Sequence, residues 1–513
     1  MTAVATRRVA SLALLAVTLV APPVRALDAE VTSDTAAQFY DVRSPTGETV
    51  LTRRRLVTTL GVGAYGLVEA PPGDVKAPEL SFRARLRYDA DYGASAAEGA
   101  PTVSQGLGLV PGFSRGPVDL MYGYLEGRRL LGGWLGFKLG RQYVTDVLGW
   151  WSFDGGEASL TLPFYFKAEA YGGLEERGGM PLSTPRFERD GIWRGSRAGY
   201  DGLLYPAFQP ATIAPAFGVA LESAGVTWIH GRLTYRRVYN TGASNVSEYA
   251  SGLYTPAVYD GSRISSERLG YAVDATWGGV GGARAGVVYD LYQAEVSSVY
   301  ANLDAYLGQK TTLSADYDYY VPTFDADSIW SVFAAEPTND VGLRANVNLT
   351  DELSIAGGGS VRVYGVQTGP FDPGVGARYA PSPNYSAASS YFPTNGHPFD
   401  EGANVSARWR TGETLLTVRG AGNFGDEGDR VGGDAAAERV FETRYVVHGR
   451  AGVWEWQDKL RPDRDATSFG YVAGVGYRFA PRSQGSVEWE HNMNGLVGQR
   501  FRLMFLLSMA VSK

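Results

Sequence analysis

The chain has no cysteine, only four histidines and six methionines, and no apolar run long enough to cross a membrane as a helix. Each shortage excludes something. Without cysteine there is no structural disulfide set, no lipoprotein anchor and no c-type haem attachment. The histidines (His230, His397, His448, His491) are scattered without ligand spacing, which argues against a metal site or a histidine-based catalytic unit. Beyond the first residues nothing approaches the roughly 18 uninterrupted apolar residues of a helical span. Neither paired carboxylates nor a nucleophile elbow stand out, so the chain reads as a non-enzyme without a cofactor or metal. A net charge of -7 disfavours nucleic acid as a partner.

Glycine (66), tyrosine (31) and tryptophan (11) are plentiful instead. Residues 1–26 read as a signal peptide: Arg7 and Arg8 supply the charged start, Val9 to Val20 the apolar stretch, and Val24-Arg25-Ala26 a small-residue cleavage site. Residues 27–52 are expected to form an N-terminal periplasmic segment. From residue 53 onward a different pattern takes over. Leu80, Phe82, Ala84, Leu86, Tyr88, Ala90 and Tyr92 alternate with Ser81, Arg83, Arg85, Arg87, Asp89 and Asp91. Successive side chains of a strand point to opposite sides, so one face is apolar and the other almost fully charged.

The alternation returns along the chain. It is clear at 117–126, 134–142, 160–172, 216–222 and 226–238, then from 268–277 through 353–365, and again from 404–410 to 499–511. Short turns such as Gly278–Gly282 separate longer loops such as 239–266, 322–339, 366–403 and 425–443. This is the asymmetry of an outer-membrane barrel, with short periplasmic turns and long outer loops. The reading is an all-β, transmembrane antiparallel β-barrel over residues 53–513, of about 18 strands within a range of about 16 to 20. Parity fails near 173–215 and near 425–443, so at least one strand is missed or merged. Phe501, Leu503, Phe505, Leu507 and Met509 give the last segment the apolar face that barrel-assembly machinery would engage.

Some strings carry less than they suggest. Gly61-x-Gly63-x-x-Gly66 matches a dinucleotide fingerprint, but Pro71-Pro72 follows where a helix is required. Asp325-Ala326-Asp327 and the stretch from Asp426 to Asp434 read as solvated loop charge, without the ordered ligand spacing of a calcium loop. Trp150, Trp151, Trp277, Trp409, Trp454 and Trp456 lie where apolar segments meet turns, as interfacial girdles require.

Charge on the polar face is the sharpest functional pattern. Arg83, Arg85 and Arg87 come from an early strand, and Arg444, Arg450, Arg478 and Arg502 from late ones. Closure would join them into one basic wall. Asp274, Asp290, Asp304, Asp316 and Asp318 lie mid-chain and would face that wall across the lumen. The long stretch 173–215 is the expected constriction, with Arg186, Arg189, Arg194 and Arg197 among its aromatics.

On this pattern the chain resembles outer-membrane porins over essentially its whole mature length. Gly140-Arg141-Gln142, followed by Phe153-Asp154-Gly155, is similar to the Gly-Arg-Gln turn of alginate-export-type barrels, and the size resembles that of polysaccharide-secretion barrels. The resemblance implies a channel in the cell outer membrane, surrounded by its lipid. Its expected cargo is a polysaccharide or another polyhydroxylated or anionic solute, with a periplasmic export partner. The other reading is a structural or electron-conduit barrel housing a partner such as a multihaem cytochrome.

Overall fold

Each alternating segment pairs with its neighbours in sequence, and the last pairs with the first. The computed structural model describes residues 28–68, 74, 77–91, 118–162, 165–176, 214–223, 225–240, 263–321, 337–365, 399–425, 428–459 and 462–512. They form one antiparallel sheet of 22 strands. In chain order these are β1 Asp28–Arg43, β2 Thr49–Tyr65, β3 Glu79–Asp91, β4 Val118–Arg129, β5 Leu135–Asp146, β6 Gly149–Leu162, β7 Phe166–Glu175 and β8 Pro215–Ser223. Then come β9 Ile229–Asn240, β10 Arg263–Trp277, β11 Gly281–Asp290, β12 Glu295–Leu307, β13 Thr311–Tyr320, β14 Thr338–Asn348 and β15 Leu353–Tyr364. The ring is completed by β16 Phe399–Thr411, β17 Thr414–Gly425, β18 Gly428–Phe441, β19 Tyr445–Asp458, β20 Ala466–Ala480, β21 Ser483–Asn494 and β22 Gly498–Ser512. Strand β22 meets β1 from Ser512 opposite Glu30 to Gln499 opposite Arg43, which closes the barrel. Closure leaves no row of unpaired backbone groups at an edge.

The count exceeds the expected 18, and even the upper bound of about 20, for three local reasons. Residues 27–52 do not form a separate periplasmic segment: most of them are β1 and the start of β2. The reading at 160–172 fuses β6 with β7, and the supposed loop at 425–443 contains β18. The last two of these errors are the cause of the parity failures. The weak signals have a common cause. The outward residues at the middle of β1 are Ser33, Thr35 and Ala37, and those at the middle of β18 are Gly433, Ala435 and Ala437, so the apolar face is interrupted there by small side chains. In β6, Trp150, Trp151 and Phe153 put aromatics on both faces and erase the alternation. The signal-peptide reading of residues 1–26 lies outside the described residues.

One contact settles which face is inside. Arg236 of β9 pairs with Asp146 at the tip of the β5–β6 hairpin, and these strands stand four places apart in the ring. A chord between them runs through the interior. Register then carries the inward face from Arg236 to Arg268 on β10 and Asp290 on β11, and onward around the ring to Arg83, Arg85 and Arg87 on β3. The opposite face carries exposed Leu233, Tyr271, Leu303, Leu343, Val405, Val475 and Phe505. A sheet that shows apolar side chains to the outside and charge to the inside is built for lipid around a wet lumen. At 22 strands the interior is too wide for wall side chains to fill.

Candidate functional site: a lumen narrowed by one hairpin

The wall departs from regularity between β4 and β5. These strands pair only from Gly123 opposite Arg141 to Gly127 opposite Phe137, so the far half of the β5–β6 hairpin leaves the wall. It leans inward and lays one face on β7 to β10. Trp151 and Phe153 stack at 4.2 Å and pack with Tyr171, Ala214, Ala216 and Val238, with Val144 at the margin. Burying each of the larger apolar side chains contributes about 1.5–3 kcal/mol. At the tip, Val147 and Leu148 sit on Gly270, where a Cβ would lie 2.5 Å from Val147 and 2.7 Å from Leu148. Only a bare backbone admits them.

Two polar groups of this core have partners, while the buried Tyr171 hydroxyl has no hydrogen-bond partner among the described residues. The Trp151 indole N–H donates to Glu175 at 2.8 Å, and the Arg236 guanidinium lies 5.1 Å from the Trp151 ring centroid. Arg236 donates to both oxygens of Asp146 at 3.1 Å, with 4% and 0% of the two side chains exposed. A charge pair this dry holds only while both partners are present.

The bend follows a row of glycines. Gly140 stands opposite Gly155, and Gly155 opposite Gly173. Gly140 has φ +128°, where an L side chain is strained, and a Cβ on Gly155 would come within 2.7 Å of the Gly173 Cα. Without side chains at this level the strands crease. The two tripeptides singled out in the sequence are cross-strand partners here: Gly140 with Gly155, Arg141 with Asp154, Gln142 with Phe153. Arg141 acts as a staple. It donates to Asp154 at 2.7 and 2.8 Å and to the Leu120 carbonyl at 3.0 Å, and it lies 2.9 Å from Glu176 just beyond β7. Burial pushes the Glu176 carboxyl up to about 7, against the pull of Arg141 and with Asp154 and Asp119 adding repulsion.

Around the rest of the lumen the charges fall into walls. Arg83, Arg85 and Arg87 share a face with Arg53 and Arg55 of β2, through registers that also bring Asp34 and Asp89 alongside. Arg85 pairs with Asp34, while Arg87 and Arg55 share Asp89. Arg83 has no carboxylate partner among the described residues and lies 5.2 Å from the Tyr65 ring centroid. Arg450 and Arg419 hold Asp434, whereas Arg502 and Arg500 hold Glu490. Arg478 is on the lumen face at the turn end of β20. Arg444 is not on a strand face: it sits in the 442–444 turn, its N–H donating to the Phe441 carbonyl.

The mid-chain aspartates divide. Asp290 is buried against Arg268 at 3.1 Å, and Asp274 lies 3.4 Å from His230. Asp304 accepts from Ser314 at 2.6 Å, and Asp316 and Asp318 follow on the same face of β13. Among the described residues no arginine or lysine pairs with these three. The lumen is therefore less polar across its width than a bare basic wall facing a bare acidic wall, because carboxylates interrupt the basic side. Arg186, Arg189, Arg194 and Arg197 lie outside the described residues, as does Asp325-Ala326-Asp327. The inward-folded element among the described residues is the β5–β6 hairpin. Asp434, read as loop charge, belongs to β18.

Aromatic placement corrects the girdle reading in part. Trp277 and Trp409 point outward at the turn end, as girdle residues should. Trp151 is fully buried in the hairpin core, Trp150 stacks on Tyr143 at 4.3 Å, and Trp454 and Trp456 share the lumen face with Arg450. Their face was readable, since Trp454 and Trp456 have the same parity along β19 as Arg450. The Gly61-x-Gly63-x-x-Gly66 string lies in and just after β2, with β3 and not a helix following.

No family model and no curated protein matches the chain. Among solved structures, the chain is similar to Pseudomonas aeruginosa OpdK with vanillate, at 9% identity over 95% of this chain and 99% of that one, with a TM-score of 0.41. Acinetobacter baumannii OccAB3 is similar at 10% identity over 94% and 99%, with a TM-score of 0.42. A BenF-like porin from Pseudomonas fluorescens Pf-5 is similar at 9% identity over 95% and 99%, with a TM-score of 0.43. The barrel assignment stands on the strand pairing itself: the chain is a closed antiparallel β-barrel with one of its own hairpins folded into the lumen.

Proposed function

We propose that this barrel is a passive, water-filled channel of an outer membrane that favours small anionic, polyhydroxylated solutes. The observation that carries the reading is the arginine face of β2 and β3, where Arg53, Arg55, Arg83, Arg85 and Arg87 line one side of the lumen at successive levels. Charges in a confined pore set ion preference at close range. Asp34 and Asp89 offset part of this charge by pairing with Arg85, Arg87 and Arg55, while Arg83 stands without a carboxylate partner among the described residues. The hairpin core in the lumen favours a small solute, and export of a polysaccharide is not carried forward.

The test is planar-bilayer conductance of the purified barrel, with Arg83, Arg85 and Arg87 changed together to Ser. The variant is expected to lose anion preference at low salt and to differ less from wild type at about 1 M salt, where the Debye length is about 3 Å. Unchanged selectivity in a conducting variant would overturn the role of these arginines. No conductance from either protein would favour the other reading, a barrel that houses a partner.

A further inference from the structure

Away from the hairpin, the lumen wall of β18 to β22 is dished. A recess of about 740 Å³ opens there, lined by Asp434, Arg450, Trp454, Glu490, Asn492 and Arg502 among others. Small-molecule sites fall in the range of about 300–1,000 Å³. Its floor is bare because Gly452 and Gly470 are cross-strand partners. Trp454, two residues along β19, stands half-buried beside that floor, with the Arg430 guanidinium 4.5 Å from its ring centroid.

The charges around the recess are arranged in one sense. Both carboxylates are sunk in the wall and each is covered by two arginines: Asp434 by Arg419 and Arg450, Glu490 by Arg500 and Arg502. The Asp434 side chain is 4% exposed, while Arg419 and Arg450 are 51% and 52% exposed. The lumen therefore meets guanidinium N–H groups and not carboxylate oxygens. Asn492 donates to Glu490, and Asn494 donates to Ser468 at 2.6 Å, placing amides on the same wall.

We propose that this recess is a docking site for a sugar acid, with the pyranose ring packed on Trp454, its carboxylate on the Arg450 guanidinium, and its hydroxyls among Asn492 and Asn494. An indole offers a broad apolar surface with a polar edge, suited to the C–H face of a sugar. Arginine matches a carboxylate through paired N–H donors. A flat aromatic acid would satisfy Arg450 but cover the amides without replacing their hydrogen bonds to water, which costs affinity. The proposal rests on the channel reading only for how the solute reaches the recess.

Isothermal titration calorimetry on the folded barrel in detergent, with glucuronate, glucose and benzoate at low salt, tests it without any current being measured. Wild type is expected to bind glucuronate more tightly than glucose or benzoate. Trp454→Ala should weaken glucuronate at least roughly tenfold, a loss of about 1.4 kcal/mol, with Trp454→Phe intermediate. Arg450→Gln should lower glucuronate towards glucose and leave glucose unchanged. Heat-modifiable migration on gels confirms that each variant is a folded barrel. The proposal is overturned if wild type does not bind glucuronate, if benzoate binds as well, or if Trp454→Ala binds like wild type. A barrel that binds but does not conduct would sink the channel reading and leave the recess standing; one that conducts without binding does the reverse.

Discussion

Arginine–aspartate pairs occur on both sides of this lumen, and they do different things. At the hairpin, Arg236 and Asp146 are 4% and 0% exposed and lie under aromatic cover. On the β18–β22 side, Asp434 is as deeply buried, but Arg419 and Arg450 remain about half exposed. In the first place the pair fastens one part of the barrel to another. In the second it presents cation to the solute path. The same residue types on the same inward face become a fastener or a binding surface according to whether a second layer of protein covers them. Coverage matters because an isolated buried charge is costly, whereas a half-exposed one is solvated by water and screened.

The largest effect should come from breaking the covered pair. Asp146→Ala leaves Arg236 buried without its carboxylate, at a cost of roughly 3–5 kcal/mol, whereas Arg450→Ala on the other wall should cost no more than about 1 kcal/mol. Single-channel conductance should rise in the first variant as the hairpin leaves the lumen, and Trp151 should become accessible to a fluorescence quencher. If conductance and quenching both match wild type, the pair does not fasten the hairpin.

A smaller effect is expected at the crease. Gly155→Val places a side chain against the Gly173 backbone, 2.7 Å from its Cα, and overpacking of this kind costs roughly 1–3 kcal/mol. Gly357→Val is the matched control, since its Cβ meets nothing closer than the Asn404 carbonyl at 3.5 Å. The first should lower the unfolding temperature and raise conductance, the second neither. Equal behaviour of the two would mean that the bend does not depend on bare backbone.

The smallest effect concerns pH. Glu176 has its carboxyl raised to about 7 by burial. A carboxyl raised above its unfolded value of roughly 4.5 contributes stability that is complete below that value and is lost as pH rises through about 7. Between about pH 6 and pH 8 the Arg141 cluster also gains a negative charge, so the reversal potential should drift slightly towards cations. Glu176→Gln should remove both changes. A drift that persists in this variant would assign the titration to another group.

The sequence was most legible where side chains were large. Leu269, Tyr271, Val273, Ala275 and Trp277 announce β10 through size alone, and they all share the outward face. Where the middle of the outward face is Ser, Thr, Ala and Gly, as in β1 and β18, alternation carries little hydrophobic contrast and the strands are not legible. Both were recoverable in principle from parity, since a closed barrel that is antiparallel at every seam needs an even count. Of the lumen residues, Arg83, Arg85, Arg87, Arg450 and Arg502 were placed by period two, a purely local property. The hairpin fold-in was not legible. Gly140, Gly155 and Gly173 are ordinary glycines until register aligns them in one row.

By itself, then, the sequence determined an alternating, cysteine-free chain whose two faces demand opposite solvents, because side-chain direction in a strand follows from the pleat without reference to anything distant. Only the tertiary structure decided how many strands close the ring, which arginines are neutralised, and that β5 and β6 turn into the lumen. Those outcomes depend on which strands become neighbours and on what covers a charge once they do, and neither is a property of any segment read alone.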